Sequence, residues 1–475
     1  MNKNILIVVG ITILFLGTCI TPSVAINNVK NASIKISDSN TLYVGGTGEG
    51  NYSSIQDAID NASIGDTVFV YDDSSPYDES ITIDNSIILN GENKETTIIT
   101  SNFPITVILL KGSGITVSNF TIKGEIIYGI SSYGENIHNN TIQDNIFDGP
   151  DNGIEIRECS NYKVLNNIFL NRDSGISIGR SSIDAKVINN SFIGTGLEVG
   201  RYSYKPIITI MESGNIINGK PLVFLQDESN KVIDGGAGQV IILGCNNITI
   251  KNQEIESVNK GICVLWSSNI MIENNSILSC IQGIEVIMSE DNCFVIIRNN
   301  YIRSCYEGCY LRYSRLCNII NNSIILSIGN NFIFNGFGIY LYDSHYCNIS
   351  KNKIKMTGIS IVLQRSSNNI LWKNDISKFA DIGIELISSN YNKIYYNNFN
   401  KRILIPSRCA RFRFEINETH QNFWFGNYWN RPRLNRKVIY GIAIKIMIYF
   451  PFIRIRIGRE FDYNPASVPN DIEVQ

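Results

Sequence analysis

Asp144, Asp148, Asp151, Glu155 and Glu158 crowd five carboxylates into 15 residues of the chain. Asp148 and Asp151 flank a turn and Glu155 projects from the strand that follows, so their carboxylates can meet on one face. Such a group can cleave a glycosidic bond as acid and base, or hold a calcium ion; the plainer reading is solvated turn acids. A copper site wants His, Met and Cys, and three histidines (His138, His345, His420) with six methionines are too few to lead to that expectation. Cys280 and Cys305 close similar strings, Asn-Asn-Ser-Ile-Leu-Ser-Cys and Asn-Asn-Tyr-Ile-Arg-Ser-Cys, and Cys317 and Cys347 each precede an asparagine. Neighbouring parallel strands ~4.8 Å apart would put such pairs within disulfide reach; stacked buried thiols are the alternative. Tyr310, Tyr313, Tyr340, Tyr342, Tyr346, Tyr395 and Tyr396 recur at similar intervals. Tyr310, Tyr340 and Tyr342 are the candidates for an outward ladder on which sugar rings stack, with core packing as the alternative.

What positions these groups is a repeat. A recurring asparagine, in most copies the second of an Asn-Asn pair, stands at Asn145, Asn167, Asn190, Asn275, Asn300, Asn322, Asn352, Asn374 and Asn398, and most gaps are 22 to 25 residues. A second marker, glycine followed by alternating apolar residues, keeps the same period out of phase, as in Gly153-Ile-Glu-Ile156 and Gly283-Ile-Glu-Val286. The alternation is strand periodicity, and nothing between the runs is long enough for a crossover helix. Gly and Asn sit at the turns, where positive φ is tolerated. The 475 residues hold 85 Ile, 60 Asn and only 10 Ala, which excludes a helical bundle. The expectation is an all-β right-handed parallel β-helix of twelve to fourteen coils, a rod on the order of 60 Å long. Ile columns would fill its interior and the asparagines, as a structural ladder, would hydrogen-bond from coil to coil within the turns.

Lys3, the apolar run Ile5 to Leu16 and the small residues Ser23-Val24-Ala25 read as a secretory signal peptide over 1–25, with an uncut anchor as the alternative. A linker over 26–40 follows. Residues 41–110 read as an N-terminal cap and first coils, with a short helix at Ser54-Ile-Gln-Asp-Ala-Ile59 capped by Ser53 or Ser54. The repeats occupy 111–405, interrupted near 197–245, and a basic aromatic cap occupies 406–475. Residues 401–459 carry 13 Lys or Arg against 2 Asp or Glu, yet the net charge of the chain is -2. No global field therefore points to nucleic acid. A membrane contact would come only through an uncut signal or the basic tail.

Ser54-Ile-Gln-Asp-Ala-Ile-Asp60 with Gly65-Asp-Thr-Val-Phe-Val70 resembles the opening of pectate-lyase-like β-helix proteins. The Asn-x-Ile-x-x-Asn repeats resemble the NosD-like branch, carbohydrate-binding and sugar-hydrolase β-helices of the archaeal surface-protein type. Gly219-Lys-Pro-Leu-Val, Ala237-Gly-Gln-Val and Gly426-Asn-Tyr-Trp429 are similar to segments of the same group. The resemblance implies a fold and leaves the function open. None of the three histidines sits in the Gly-His-Gly of polygalacturonases. The expected role is a secreted or cell-surface protein that binds polysaccharide or an envelope glycan, or scaffolds a surface, without catalysis and without a cofactor. The alternatives are a polysaccharide lyase or glycoside hydrolase using Asp148, Asp151 and Glu155, and a NosD-like copper-handling accessory protein.

Overall fold

The computed structural model describes residues 39–101, 105–170, 173–179, 181–200, 209–288, 294–326, 336–400, 408–413, 421–429, 437–446 and 453–472, with side chains left aside over 441–458. The expected signal peptide, most of the linker and His420 lie outside these residues.

From Asn40 onward the chain winds as a right-handed parallel β-helix of about 15 coils. Each coil contributes three short strands to three parallel sheets. In one coil these are Thr141–Gln143, Ile146–Asp148 and Asn152–Arg157. Each pairs in register with the next coil: Ile142 with Val164, Phe147 with Phe169, Ile154 with Ile176. Alternation turns those residues inward, so like stacks on like. Phe147, Phe169 and Phe192 form one column with ring centroids 4.9 Å apart at both steps.

The asparagine pairs divide two tasks. The first residue takes the left-handed conformation at the corner, with φ near 55° at Asn166, Asn189, Asn274, Asn299 and Asn321. The second is buried, and its Oδ1 accepts from the turn of the preceding coil. Asn145 N donates to Asn167 Oδ1 (3.0 Å), Asn167 N to Asn190 (2.9 Å) and Asn190 N to Asn215 (2.9 Å). A second run goes Asn275 to Asn300, Asn322, Asn352, Asn374, Asn397 and Asn427 at 2.9–3.0 Å. Each Nδ2 also reaches back to a strand carbonyl, as Asn322 does to Ile297 O (2.9 Å). The ladder residue near Asn398 is thus its neighbour Asn397. There Tyr396 takes the left-handed corner with φ 56°, so the first asparagine of the pair, not the second, falls on the ladder. Asn398 instead bonds Asn470 O (2.9 Å).

The marker glycines follow a different rule from the one expected. Gly261, Gly283 and Gly308 are absent from the positive-φ residues; a Cβ on any of them would lie 2.4–2.7 Å from the carbonyl oxygen of the next marker glycine. They permit close approach of coils, not a turn.

Both ends are closed with polar groups as well as apolar ones. The helix Ile55–Asn61 buries Ile55, Ala58 and Ile59, and Ser54 caps it by accepting from Asp57 N. Glu79 adds a second cap, accepting from Ile55 N (2.8 Å) and Gln56 N (3.0 Å). At the other end Lys437–Ile446 and Ile453–Asp462 form an antiparallel hairpin. Its Asp462 terminates the ladder from Asn427, and its Glu460 terminates a second asparagine ladder through Asn369, Asn392 and Asn422. Trp424 Nε1 donates to Glu460 (2.7 Å) and Trp429 Nε1 to Asp462 (2.9 Å). Among the described residues, no helix is long and apolar enough to cross a membrane.

The coil stack is broken once, within the interruption expected near 197–245. Leu197–Val199 ends its sheet, and Ile216–Ile217 turns back through Asn218-Gly219 to pair antiparallel with Lys220–Gln226. Lys220–Gln226 then opens the second stack by pairing with Gln239–Leu243.

Two predictions follow from the ladders and their end. Asn322→Leu and Asn397→Leu should each cost about 1–3 kcal/mol by leaving buried amides unpaired, read as a lower melting temperature, while Asn398→Leu should cost less. An equal loss at Asn397 and Asn398 would contradict the assignment. Burial raises the Glu460 carboxyl, although Trp424 and Asn422 oppose the shift. A raised carboxyl binds more protons in the folded chain, so its contribution declines as pH rises above the ordinary glutamate range. Glu460→Gln should flatten that part of a melting-temperature profile against pH; an unchanged slope would contradict it.

Candidate functional site

The six-residue strands turn one face outward. In Gly-Ile-Glu-Val the two apolar residues point inward and the glutamate outward, next to the same position of the coils above and below. Outward residues in register are Cys263, Glu285, Tyr310, Tyr340, Val362, Glu385 and Arg411. Glu155, Glu198, Glu285 and Glu385 all follow this marker pattern, and all are buried. A buried carboxylate needs a cation, and each has one. Arg157 Nε donates to Glu155 Oε1. Arg411 and Arg413, both from the next coil, hold Glu385 at 2.6 and 2.7 Å. Lys260 bridges the other two, 2.9 Å from Glu198 and 2.8 Å from Glu285.

Lys260 sits where the two stacks meet. Burial alone would lower its pKa, but Glu198 and Glu285 outweigh this and hold the ammonium well above its ordinary value. Burial, then Glu285, push the neighbouring Cys263 thiol up, which keeps it protonated. Side chains stitch the seam where backbone pairing stops. The Gln239 amide accepts from Leu197 N (3.0 Å) and donates to Leu197 O (2.9 Å), as a strand neighbour would. Asn259 Nδ2 donates to Ser174 Oγ (3.2 Å), which donates to Glu198 (2.9 Å). Beside this stitching lies a cleft of about 310 Å³ lined by Asp173, Glu198, Lys260, Gln282, Glu285 and Arg312.

Beyond the seam the face turns aromatic. Tyr310 and Tyr340 are cross-coil partners with centroids 5.3 Å apart, and Phe337 lies 5.2 Å from Tyr340. Burial holds the Tyr310 phenol above its ordinary range and raises Tyr340 to about 12, so both are neutral hydroxyls at physiological pH. The Arg312 guanidinium lies over Tyr313 (4.8 Å) and Tyr342 (5.6 Å), and Arg365 lies 5.9 Å from Tyr342. Tyr310, Tyr340 and Tyr342 are half-buried, with part of each open to solvent.

The carboxylates grouped in the sequence are separated here. Asp148 ends a strand of another sheet, paired with Lys123 at 3.1 Å, and Asp151 is an exposed corner residue. Only Glu155 lies on the outward face. The nine described cysteines are thiols. Cys280 and Cys305 stand in contact on adjacent coils, the Cys280 thiol raised above its ordinary value by its bond to Cys305 and then by burial. Cys317 and Cys347 are buried, and Cys347 N donates to Asn369 Oδ1 (2.8 Å). The Glu198–Lys260–Glu285 bridge was missed in the sequence, although glutamate recurring two residues after the marker glycine is a readable signal for it.

A family model described as periplasmic copper-binding protein (NosD) matches residues 195–434. The two described histidines have other partners. His345 Nε2 is 3.4 Å from Asp343 while its Nδ1 accepts from Ser367 N (3.0 Å), and His138 Nδ1 lies 3.1 Å from Asn136 O. Among the described residues, no three His, Cys, Asp or Glu converge to hold a metal ion. No curated protein gives a significant match. Among solved structures, the chain is similar to the A-module of a mannuronan C-5 epimerase of Azotobacter vinelandii, at 12% identity over 78% of this chain and 94% of that one, TM-score 0.26. It is similar also to a family 28 exopolygalacturonase of Yersinia enterocolitica, at 10% identity over 81% and 79%, TM-score 0.31. Likeness at that level supports no conclusion about this chain. The family match covers half of the chain, and with the coil-by-coil fold it places the protein in the NosD family of parallel β-helix proteins.

Proposed function

We propose that this protein works outside the cytoplasm, secreted or at the cell surface, and binds polysaccharide along the outward face of its six-residue strands without cleaving it. The observation that carries this reading is the in-register pair Tyr310 and Tyr340, with Tyr342 and Arg312 beside it. A sugar ring offers an apolar C–H face and a rim of hydroxyls. Half-buried tyrosines receive the face, and guanidinium and amide groups at the edge receive the hydroxyls. A periplasmic family fits the location, and a polymer suits a surface that repeats at the coil spacing.

What supports binding without cleavage is how the outward glutamates are held. Glycoside hydrolysis needs one carboxyl that carries a proton and another free to attack or to activate water. The outward glutamates Glu155, Glu285 and Glu385 are each held in an ion pair with a buried or half-buried cation. Such clamping fixes each carboxylate against its cation and leaves it poorly placed to serve as a mobile acid or base.

A glycan array followed by affinity electrophoresis tests the reading. Tyr310→Ala and Tyr340→Ala should each weaken retention of the bound polysaccharide about fivefold, the effect of about 1 kcal/mol of ring contact, with little change in melting temperature. The polymer should keep its length on prolonged incubation. Retention of no polysaccharide, or shortening of the one retained, would overturn the proposal.

A further inference from the structure

The hairpin that closes the last coil runs on past its pairing with that coil. Arg408–Arg413 pairs with it only at Gly441 and Ile442, and Phe423–Phe425 only through Trp424 and Asp462. Among the described residues, 443–446 and 453–456 have no strand partner but each other. They make a two-stranded ribbon, an arrangement that is marginally stable alone in water.

Register sorts the ribbon onto two faces. At its base Ile439 pairs with Glu460, and both are buried, Glu460 accepting from Trp424 of the last coil. The next pair, Tyr440 with Arg459, lies on the other face: Tyr440 is 55% exposed, Arg459 is exposed, and the guanidinium lies 6.0 Å from the ring. Successive strand residues alternate between faces. Ala443 with Arg456 and Lys445 with Arg454 therefore continue the face of Ile439. Ile442 with Ile457, Ile444 with Ile455 and Ile446 with Ile453 continue the face of Tyr440 and Arg459. Six isoleucines thus share the face that turns away from the coils at the base of the hairpin. An apolar face of that extent on the outer side of a fold marks an interaction surface.

Charge selects the partner. Between Lys437 and Arg459 the chain carries Lys437, Lys445, Arg454, Arg456 and Arg459, with no Asp or Glu. Two copies meeting through their isoleucines would bring both sets of cations together, which like-charge repulsion opposes. An anionic bilayer suits both features, since its acyl boundary receives the isoleucines and its headgroups attract the cations. Long basic side chains can keep their charge at headgroup level while an apolar face sinks beside them. Crossing the bilayer is another matter: the open edges of two strands would leave backbone groups unpaired in hydrocarbon.

We infer that this ribbon docks the protein on an anionic lipid bilayer, lying within its surface, whether or not a glycan occupies the tyrosine column.

Co-sedimentation of the full chain with vesicles tests it, using phosphatidylcholine mixed with phosphatidylglycerol and phosphatidylcholine alone. The protein should sediment with the mixed vesicles and bind the neutral ones at least tenfold more weakly. Ile444→Thr with Ile455→Thr keeps β-branched residues in both strands. It should weaken binding to the mixed vesicles at least tenfold at an unchanged melting temperature. Arg454→Gln with Arg456→Gln should weaken it about twenty-fivefold, about fivefold for each charge removed. Should the first variant fail to fold, Ile446→Thr with Ile453→Thr, farther from the last coil, should show the same loss. No sedimentation with the mixed vesicles, equal binding to neutral ones, or binding indifferent to these variants would overturn the inference. So would a dimer, in place of vesicle binding, that the isoleucine variant dissociates, since the face would then belong to a second copy.

Discussion

Every coil of this protein ends a strand at a buried corner, and a buried corner N–H without a partner would cost free energy at each turn. The asparagine ladder answers that constraint. One side chain accepts the N–H of the turn below, gives an N–H to a strand carbonyl, and lends its own N–H to the turn above. Asn322 does all three, through Asn300, Ile297 and Asn352. Because each bond crosses to the next coil, the ladder fixes both the register and the shape of the corner. Isoleucine columns supply the bulk of the burial, but apolar contact is indifferent to small slips that the ladder forbids.

Where the ladder breaks, so does the stack. Asn215 closes the first run on Glu212, and the second starts afresh at Gln253, whose Oε1 accepts from Ala237 N. The two stacks meet through side chains: the Gln239 amide acting as a strand neighbour, and Lys260 holding one glutamate from each side. The cleft of about 310 Å³ lined by Lys260 and Glu285 lies beside this junction. The outward face is rigid for the same reason its corners are. A polymer that meets Tyr310 and Tyr340 meets them at a spacing set by the coils, with little ordering left to occur on binding.

The repeat, the fold and the capped helix at Ser54 were legible in the sequence because each rests on local periodicity or a local cap. The ladder was legible in type and mislaid by one residue at Asn398, since an asparagine count cannot tell which member of a pair takes the left-handed corner when Tyr396 already does. The marker glycines were read as turn residues, yet the approach of a neighbouring coil 22 residues away demands them at Gly261, and no local rule reveals that. The acids 144–158 looked concentrated because they are close in sequence; the winding sends Asp148 and Glu155 to different sheets. Conversely Glu198 and Glu285 are 87 residues apart in number and share one lysine. Only a register across the interruption brings them together, and the interruption is where the repeat falls silent.

Hydrogen exchange at the corners tests the central claim, that side-chain ladders and not solvent satisfy the buried turns. The backbone amides of Asn275, Asn300, Asn322, Asn352 and Asn374 lie between strands, where an ordinary loop amide exchanges fast. Held by the next Oδ1, they should exchange as slowly as the strand amides of Ile297 and Ile319. Exchange at the rate of unprotected loop amides would contradict the account.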